Sequence, residues 1–425
     1  MSSRLSPAYL DHNSTTPIRP EVIEAMLPFL REHFANPNSV HGPGQRVRHA
    51  VEEARERVAR LIGAADASEV VFTSCGSEAN VFAVTGALEA ARERRRSAGG
   101  PAPAGPAYQR GVRPPRAAGE APHLVTSAVE HDSIRDLCLQ LKTRGFSVSV
   151  VGVDPLGRVR PQDIAAALRP ETAAVSLMHA NNETGAVQPV EDVARLCRER
   201  GVLFHTDAVQ SAGKLPLNVS RSSIDMLSLS GHKFNAPKGV GALWVRSGVK
   251  LSALITGHQE KNRRGGTENA ASIVALGAAA ELASRELQER SASLLALRTR
   301  LEEELRAIPG AHRTVDSGER LPGTCHFCFE GVRGHELVIA LDLEGFCASS
   351  GPACAAGQTK VSHVLAAMGL SAKLAGGALR ISLGWGSTED EVKRLLGVLP
   401  GIIERLRTSG DTRVPAVDSQ GRGTR

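Results

Sequence analysis

Only 3% of the 425 residues are aromatic, with two tryptophans and two tyrosines among them. Hydrophobic residues make up 41%, so a sizeable core is possible, but it must be built from aliphatic side chains and alanine. No run of about 18 apolar residues occurs, which excludes a membrane-spanning helix. The opening MSSRLSPAYLDHNS lacks the apolar segment of a signal peptide, so the expectation is a soluble, cytoplasmic protein with no membrane partner. Seven cysteines, an odd number scattered along the chain, do not form a disulfide framework and fit a reducing compartment. Charge of one sign is also scarce where it would matter. The net +6 sits in two segments: residues 91–121 carry seven arginines against two glutamates, and Thr408 to Arg425 carry three arginines against two aspartates. The remainder is neutral, which argues against nucleic acid as the main partner.

Strand and helix alternate along most of the chain. Pro20 to Phe34 and Gly44 to Ile62 read as amphipathic helices, the second with Val47, Val51, Ala54, Val58 and Leu61 on one stripe. Short strands follow at Glu69 to Thr73, His123 to Ser127, Phe146 to Val151, Ala173 to Met178, Val202 to Thr206, Asp225 to Leu229 and Gly241 to Val245, with helices between many of them. This predicts an α/β fold, a mainly parallel sheet covered by helices on both faces, followed by a smaller α+β domain. A long helical stretch from Thr267 to about Ile308 leads into strands at Cys325 to Phe329 and Leu379 to Leu383, and the chain closes with a helix from Thr388 to about Leu406. The expected division is a large domain over 18–260 and a small one made of 1–17 plus 261–407. The Pro/Gly/Ala/Arg-rich insertion, 91–121, and the tail, 408–425, are expected not to fold.

The polar clusters fall at the carboxyl ends of the predicted strands, where parallel sheets bind their ligands. The stretch SLSGHKFNAPKGVG places Lys233 on a turn between two strands. Desolvation lowers the pKa of such an amine, and the free amine forms Schiff bases with carbonyls. Taken alone, Lys233 reads equally as a surface lysine in a hairpin. Gly76 and Ser77 open a helix after a strand, an arrangement that attracts anions to backbone N–H groups. Asp207 ends a strand and His131 precedes a helix; each has an ordinary reading as a helix cap. An amine, an acid, an imidazole and a phosphate cradle on one sheet edge together point to pyridoxal 5'-phosphate, whose pyridine nitrogen a carboxylate keeps protonated.

The motifs LDHNSTTP, VEHDSI, MHANNETGAVQP, HTDAVQSAGK, SGHKFNAPKG, RRGGTEN, SSGPAC and LRISLG occur in that order. With them the chain resembles the cysteine desulfurases and selenocysteine lyases of the class-V aminotransferase group, pyridoxal-phosphate enzymes of fold type I, from Tyr9 to about Leu406. The resemblance implies that Lys233 holds the cofactor as a Schiff base, Asp207 pairs with its ring nitrogen, Gln210 hydrogen-bonds its phenolic oxygen and His131 stacks on its ring. Gly76, Ser77, Ser230 and His232 would hold the phosphate, joined by Thr267 from the other subunit of a homodimer. Asn13, Asn182 and Arg380 would contact the substrate, with Arg380 clamping its carboxylate. Cys354 would take sulfur from L-cysteine as a persulfide, leaving L-alanine, and pass it to an acceptor protein in iron–sulfur assembly, thiolation or selenium metabolism.

Two rivals stand beside this expectation: a selenocysteine lyase acting on L-selenocysteine, and a non-catalytic scaffold that binds a sulfur acceptor. The chain departs from the family's usual pattern at His258 and Trp385, which bear on the substrate pocket or its edge, and at Pro352, which is expected to stiffen the approach to Cys354. No metal is expected. The C-x-x-C pair Cys325 and Cys328 lies in a predicted strand, where residues three apart face opposite ways, and His335-Glu336 lacks the second histidine of a metalloprotease motif.

Overall fold

The computed structural model describes residues 7–97, 121–351 and 361–411. Seven strands form the main sheet, in the spatial order Val70–Thr73, Gly241–Val245, Met226–Ser230, Leu203–Asp207, Thr172–Met178, His123–Ser127 and Ser147–Val151. Pairing is parallel from Met226–Ser230 across to Ser147–Val151, while Gly241–Val245 runs antiparallel to both of its neighbours. Inner strands are buried along almost their whole length, only Leu203 being partly exposed, as expected of a sheet covered on both faces, so they read as continuous runs rather than alternations. Ser147–Val151 lies at the edge, and there Val150 is exposed.

Two buried histidines tie the sheet together through serine and threonine hydroxyls. His205 meets Ser176 and Ser228 on the strands either side, each at 2.9 Å. His123 likewise meets Thr172 and Ser149 at 2.9 Å. Burial pushes His205 down to about 3 and His123 to about 4, so both are neutral and each ring can donate at one nitrogen and accept at the other.

Helix Gly42–Ile62 packs along the first half of the 37-residue helix Ala270–Arg306. The contact is tight because small residues meet: a Cβ at Gly277 would stand 2.6 Å from the Ala54 Cα, so any side chain there would force the helices apart. A second core surrounds the antiparallel strands Ala378–Ser382, Thr324–Phe329 and Ala311–Arg313. Helices Gly334–Leu343 and Glu389–Asp411 cover them, and Ala8 and Leu10 from the start of the chain are buried in the same cluster. Ala8–Tyr9 pairs in parallel with Phe346–Cys347, so the amino-terminal segment belongs to this core before it crosses to the main sheet.

Several boundaries differ from those read in the sequence. The first helix ends at Arg31 rather than Phe34. The helix opening at Gly76 runs to Ser97 and so takes up the first residues of the Arg-rich stretch. Arginine and glutamate are good helix formers, and Arg94, Arg95 and Arg96 complement the dipole at the helix end. The closing helix reaches Asp411, beyond the expected stop at Leu406. Just after His258 the backbone leaves the right-handed helical region, and Glu260, Lys261 and Asn262 all have positive φ. Such conformations cost of order 1–3 kcal/mol each. Glu260 is held there by a buried ion pair with Arg55, 2.7 Å, and by the Phe72 N–H, 3.2 Å.

Candidate functional site

A cavity of about 310 Å³ opens at the carboxyl ends of the main sheet's strands, within the size range of small-molecule sites. Asn13, Gly76, Ser77, His131, Asn182, Asp207, Gln210, Ser230, His232, Lys233 and Arg380 all line it. Strands that end side by side deliver most of these residues, and the amino-terminal segment supplies Asn13 across the gap between the two cores. Thr267 is exposed and does not line the cavity of its own chain. Cys354 and Pro352 lie outside the described residues.

Lys233 ends the short 3-10 turn Gly231–Lys233 that follows strand Met226–Ser230. Its Nζ donates to the carbonyl oxygens of Asn13, 2.6 Å, and Ser14, 2.7 Å. Asp207, at the end of the neighbouring strand, accepts from the Asn80 amide at 2.6 Å and from the Val209 N–H at 2.9 Å. No helix follows Asp207, so it is not the helix cap the sequence also allowed; its carboxylate caps a turn instead, and the residue lines the cavity. His131 also caps a helix: its Nδ1 accepts from the Ser133 N–H at 3.1 Å, which in the neutral ring leaves the proton on Nε2.

The cradle at the start of helix Gly76–Ser97 is closely shaped. A Cβ on Gly76 would lie 2.5 Å from the Val209 side chain, so the backbone there must stay bare. Next to it the buried Ser230 hydroxyl has no hydrogen-bond partner, nor has the buried Asn80 Oδ1. Buried polar atoms are rarely left unpaired, and these two, both on residues that line the cavity, suit a polar ligand. His232 binds the Thr15 hydroxyl at 3.1 Å, and its ring is pushed down to about 4 by burial and by Lys233, Lys238, Lys214 and His131, so it is a neutral donor rather than a cation. A phosphate, an aromatic ring and an aldehyde have matching partners in the cradle, Asp207 and the Lys233 amine, so these residues fit pyridoxal phosphate.

Arg380 is buried within Ala378–Ser382. Its guanidinium donates to the Asn182 carbonyl, 2.9 Å, to Asp11, 2.7 Å, and to the Ser14 hydroxyl, 2.7 Å, while its Nε–H has no partner. It is thus fixed in orientation and still lacks an acceptor. Trp385 lies away from this cavity, in a second one, with Arg19 over its ring at 5.1 Å.

Sequence reasoning assigned no role to Asn80, Glu130, Glu183 or Lys214. Asn80 could have been found as an amide one helical turn after Gly76 on an otherwise alanine and valine face. Glu130 is buried beneath His131, accepting from the Ser127 hydroxyl at 2.5 Å and from the Met178 N–H at 3.0 and 3.1 Å. Burial pushes it from 4.5 up to about 8. The folded protein therefore binds a proton that the unfolded chain releases above about pH 4.5, and the stability from this group is lost as pH rises through about 8. Glu130→Gln is expected to flatten the pH dependence of unfolding between pH 5 and 8, where Glu130 contributes a slope of about 1.4 kcal/mol per pH unit. Denaturant unfolding across that range checks this, and an unchanged slope would contradict it.

The aminotransferase class-V family model matches residues 8–98 and 111–395. A cysteine desulfurase of Trichormus azollae is 43% identical over 405 residues, covering 95% of this chain and 94% of that protein. The cysteine desulfurase NifS of Azotobacter vinelandii is 41% identical over a similar span. Among solved structures, a NifS-like protein superposes with a TM-score of 0.82 at 34% identity, covering 94% of this chain and all of that one.

Proposed function

The chain belongs to the aminotransferase class-V family and, within it, to the cysteine desulfurases, and from that premise we propose that it binds pyridoxal 5'-phosphate through Lys233 and passes the sulfur of L-cysteine to Cys354. The observation that carries this reading is the convergence on one cavity of the Lys233 amine, the Asp207 carboxylate and a helix N-terminus beside an unpaired Ser230 hydroxyl. Gly76, Ser77, Ser230 and His232 hold the phosphate, with Thr267 of the partner subunit completing the cradle in a homodimer. The exposure of Thr267, away from its own cavity, agrees with that role.

When bound, pyridoxal phosphate supplies an electron sink for charge that develops on the substrate's α-carbon. Asp207 would keep a proton at the cofactor's ring nitrogen, Gln210 would donate to its phenolic oxygen and His131 would cover its ring. Arg380, with its unpaired Nε–H, orients the substrate carboxylate together with Asn13 and Asn182. The Lys233 Nζ moves the proton at the α-carbon. The Cys354 thiolate attacks the substrate sulfur: the carbon–sulfur bond breaks, a sulfur–sulfur bond forms, and L-cysteine plus thiol gives L-alanine plus persulfide with no external oxidant. An acceptor protein then takes the sulfur.

Reconstituted protein is expected to form L-alanine from L-cysteine, and a large preference for L-selenocysteine in side-by-side turnover would overturn the substrate assignment. Asp207→Asn is expected to keep the Asn80 contact and the visible absorption of the bound cofactor, but to lower alanine formation about a hundredfold to a thousandfold, because a neutral amide cannot hold the ring nitrogen protonated. Alanine formation within about threefold of wild type would remove Asp207 from this role.

A further inference from the structure

Lys214 closes the motif HTDAVQSAGK, one turn beyond Gln210, and nothing above gives it a task. It is partly buried, yet its amine meets no carboxylate among its hydrogen-bond partners. Both acceptors are side-chain amide oxygens: Gln210 Oε1 at 3.0 Å and Asn13 Oδ1 at 3.2 Å. As an ammonium, a lysine only donates. Each amide must therefore turn its oxygen to Lys214 and its N–H edge away. For Gln210 that edge donates to the Asn13 carbonyl at 2.9 Å, and Gln210 itself lines the cavity. For Asn13 the N–H edge reaches the Thr324 hydroxyl, 2.9 Å, and the Asn182 carbonyl, 3.2 Å, tying the segment to the second core. The same Asn13 carbonyl accepts from Lys233.

We propose that Lys214 is a positioning residue that locks the Gln210 amide with an N–H donor facing the cavity, so that Gln210 can serve the acidic oxygen of a bound pyridoxal phosphate and no acceptor can face it instead. This rests on the cofactor assignment made above and goes beyond it. The surroundings of Lys214 are consistent with that task. Desolvation above all, with Lys233 on the adjoining turn, Arg290 on the long helix and Arg380 on strand Ala378–Ser382, holds the Lys214 amine well below its ordinary value. His12 and His232 are both lowered to about 4, with Lys214 among the causes, and Asp11 is paired with Arg380. In either protonation state the amine carries the two N–H groups that the two amides need.

The test is a spectroscopic pH titration of the pyridoxal-phosphate-loaded protein, which reads proton binding at the cofactor rather than turnover. A donor to the acidic oxygen favours the deprotonated form, and losing it raises the transition. Lys214→Met is expected to raise the transition by about one pH unit, a tenfold change in proton binding, while Lys214→Arg, which keeps donors, stays near wild type. Because Lys214 acts through Gln210, the double variant Lys214→Met/Gln210→Met is expected to shift no further than Gln210→Met alone. Should Lys214→Met fail to accumulate as folded protein, Lys214→Gln, whose shorter side chain cannot reach both amides, must show an upward shift. A transition unmoved in Lys214→Met or its substitute, even with lowered thermal stability, overturns the proposal, as does full additivity in the double variant. Wild-type protein that gains no visible absorption with pyridoxal phosphate overturns both this proposal and the cofactor assignment.

Discussion

Replacing Lys233 with alanine is expected to leave a folded protein that no longer retains pyridoxal phosphate covalently and forms L-alanine from L-cysteine at least about a thousandfold more slowly. The fold should survive because backbone bonds hold the turn. Phe234 and Ala236 donate to the Gly231 carbonyl at 3.0 Å, and Thr16 donates to the His232 carbonyl at 2.9 Å. The substitution removes one donor from the Asn13 and Ser14 carbonyls, and the Asn13 oxygen keeps its bond from Gln210. A loss of about 1 kcal/mol in stability follows from that change. The expected chemical loss is far larger, since in the proposed function the same amine fixes the cofactor and handles the proton at the α-carbon. Gel filtration after loading, followed by visible absorption and an alanine assay, checks both halves. A variant that keeps its absorption and turns over normally would show that another amine does this work.

The second large effect is expected for Cys354→Ser, which should retain the visible absorption of the loaded protein but lose sulfur transfer by about a thousandfold or more, because a hydroxyl is a poor nucleophile toward sulfur. The other thiols are poor competitors. Burial raises Cys138 and Cys328 to about 11, and pushes Cys197 and Cys325 higher still, so none supplies a thiolate near neutral pH. Cys347 is raised by burial and by Asp342 and Asp11. Cys75 is the exception, since it lines the cavity with its sulfur accepting from the Glu78 N–H at 3.4 Å. The described residues on either side of 352–360 both come to Glu183 at the cavity wall. The Ser362 hydroxyl donates to its Oε2 at 2.6 Å, and a Cβ on Gly351 would stand 3.7 Å from the same oxygen. Wild-type rates of sulfur transfer in Cys354→Ser would assign the nucleophile elsewhere.

Much of this site was legible in the sequence because a parallel sheet gathers its strand ends. Once Asp207, Ser230 and the residues after Met178 are read as strand termini, their side-by-side placement follows from the architecture. Cys325 and Cys328 were also readable from strand geometry: they lie in different core clusters, on opposite faces of Thr324–Phe329. Contacts that depend on distant pieces of chain were not legible. Lys214 reads as the polar end of a turn until Asn13, some two hundred residues earlier, is seen to meet it. Glu183 looks like one more polar loop residue until Ser362 arrives from the second core. Glu130 sits beside a candidate histidine, and only the fold reveals that it is sealed from water beneath the strand end at Met178. Helix ends were missed where charged residues kept good helix propensity past the last core contact, as at Arg94 to Arg96.

The most direct test of the central claim is peptide-resolved mass spectrometry of the pyridoxal-phosphate-loaded protein after a single turnover with L-cysteine. One added sulfur on Cys354 in the wild type, and none in Lys233→Ala, is the predicted result. Sulfur found on Cys75 or another thiol, or alanine formed with no sulfur on the protein, would contradict it.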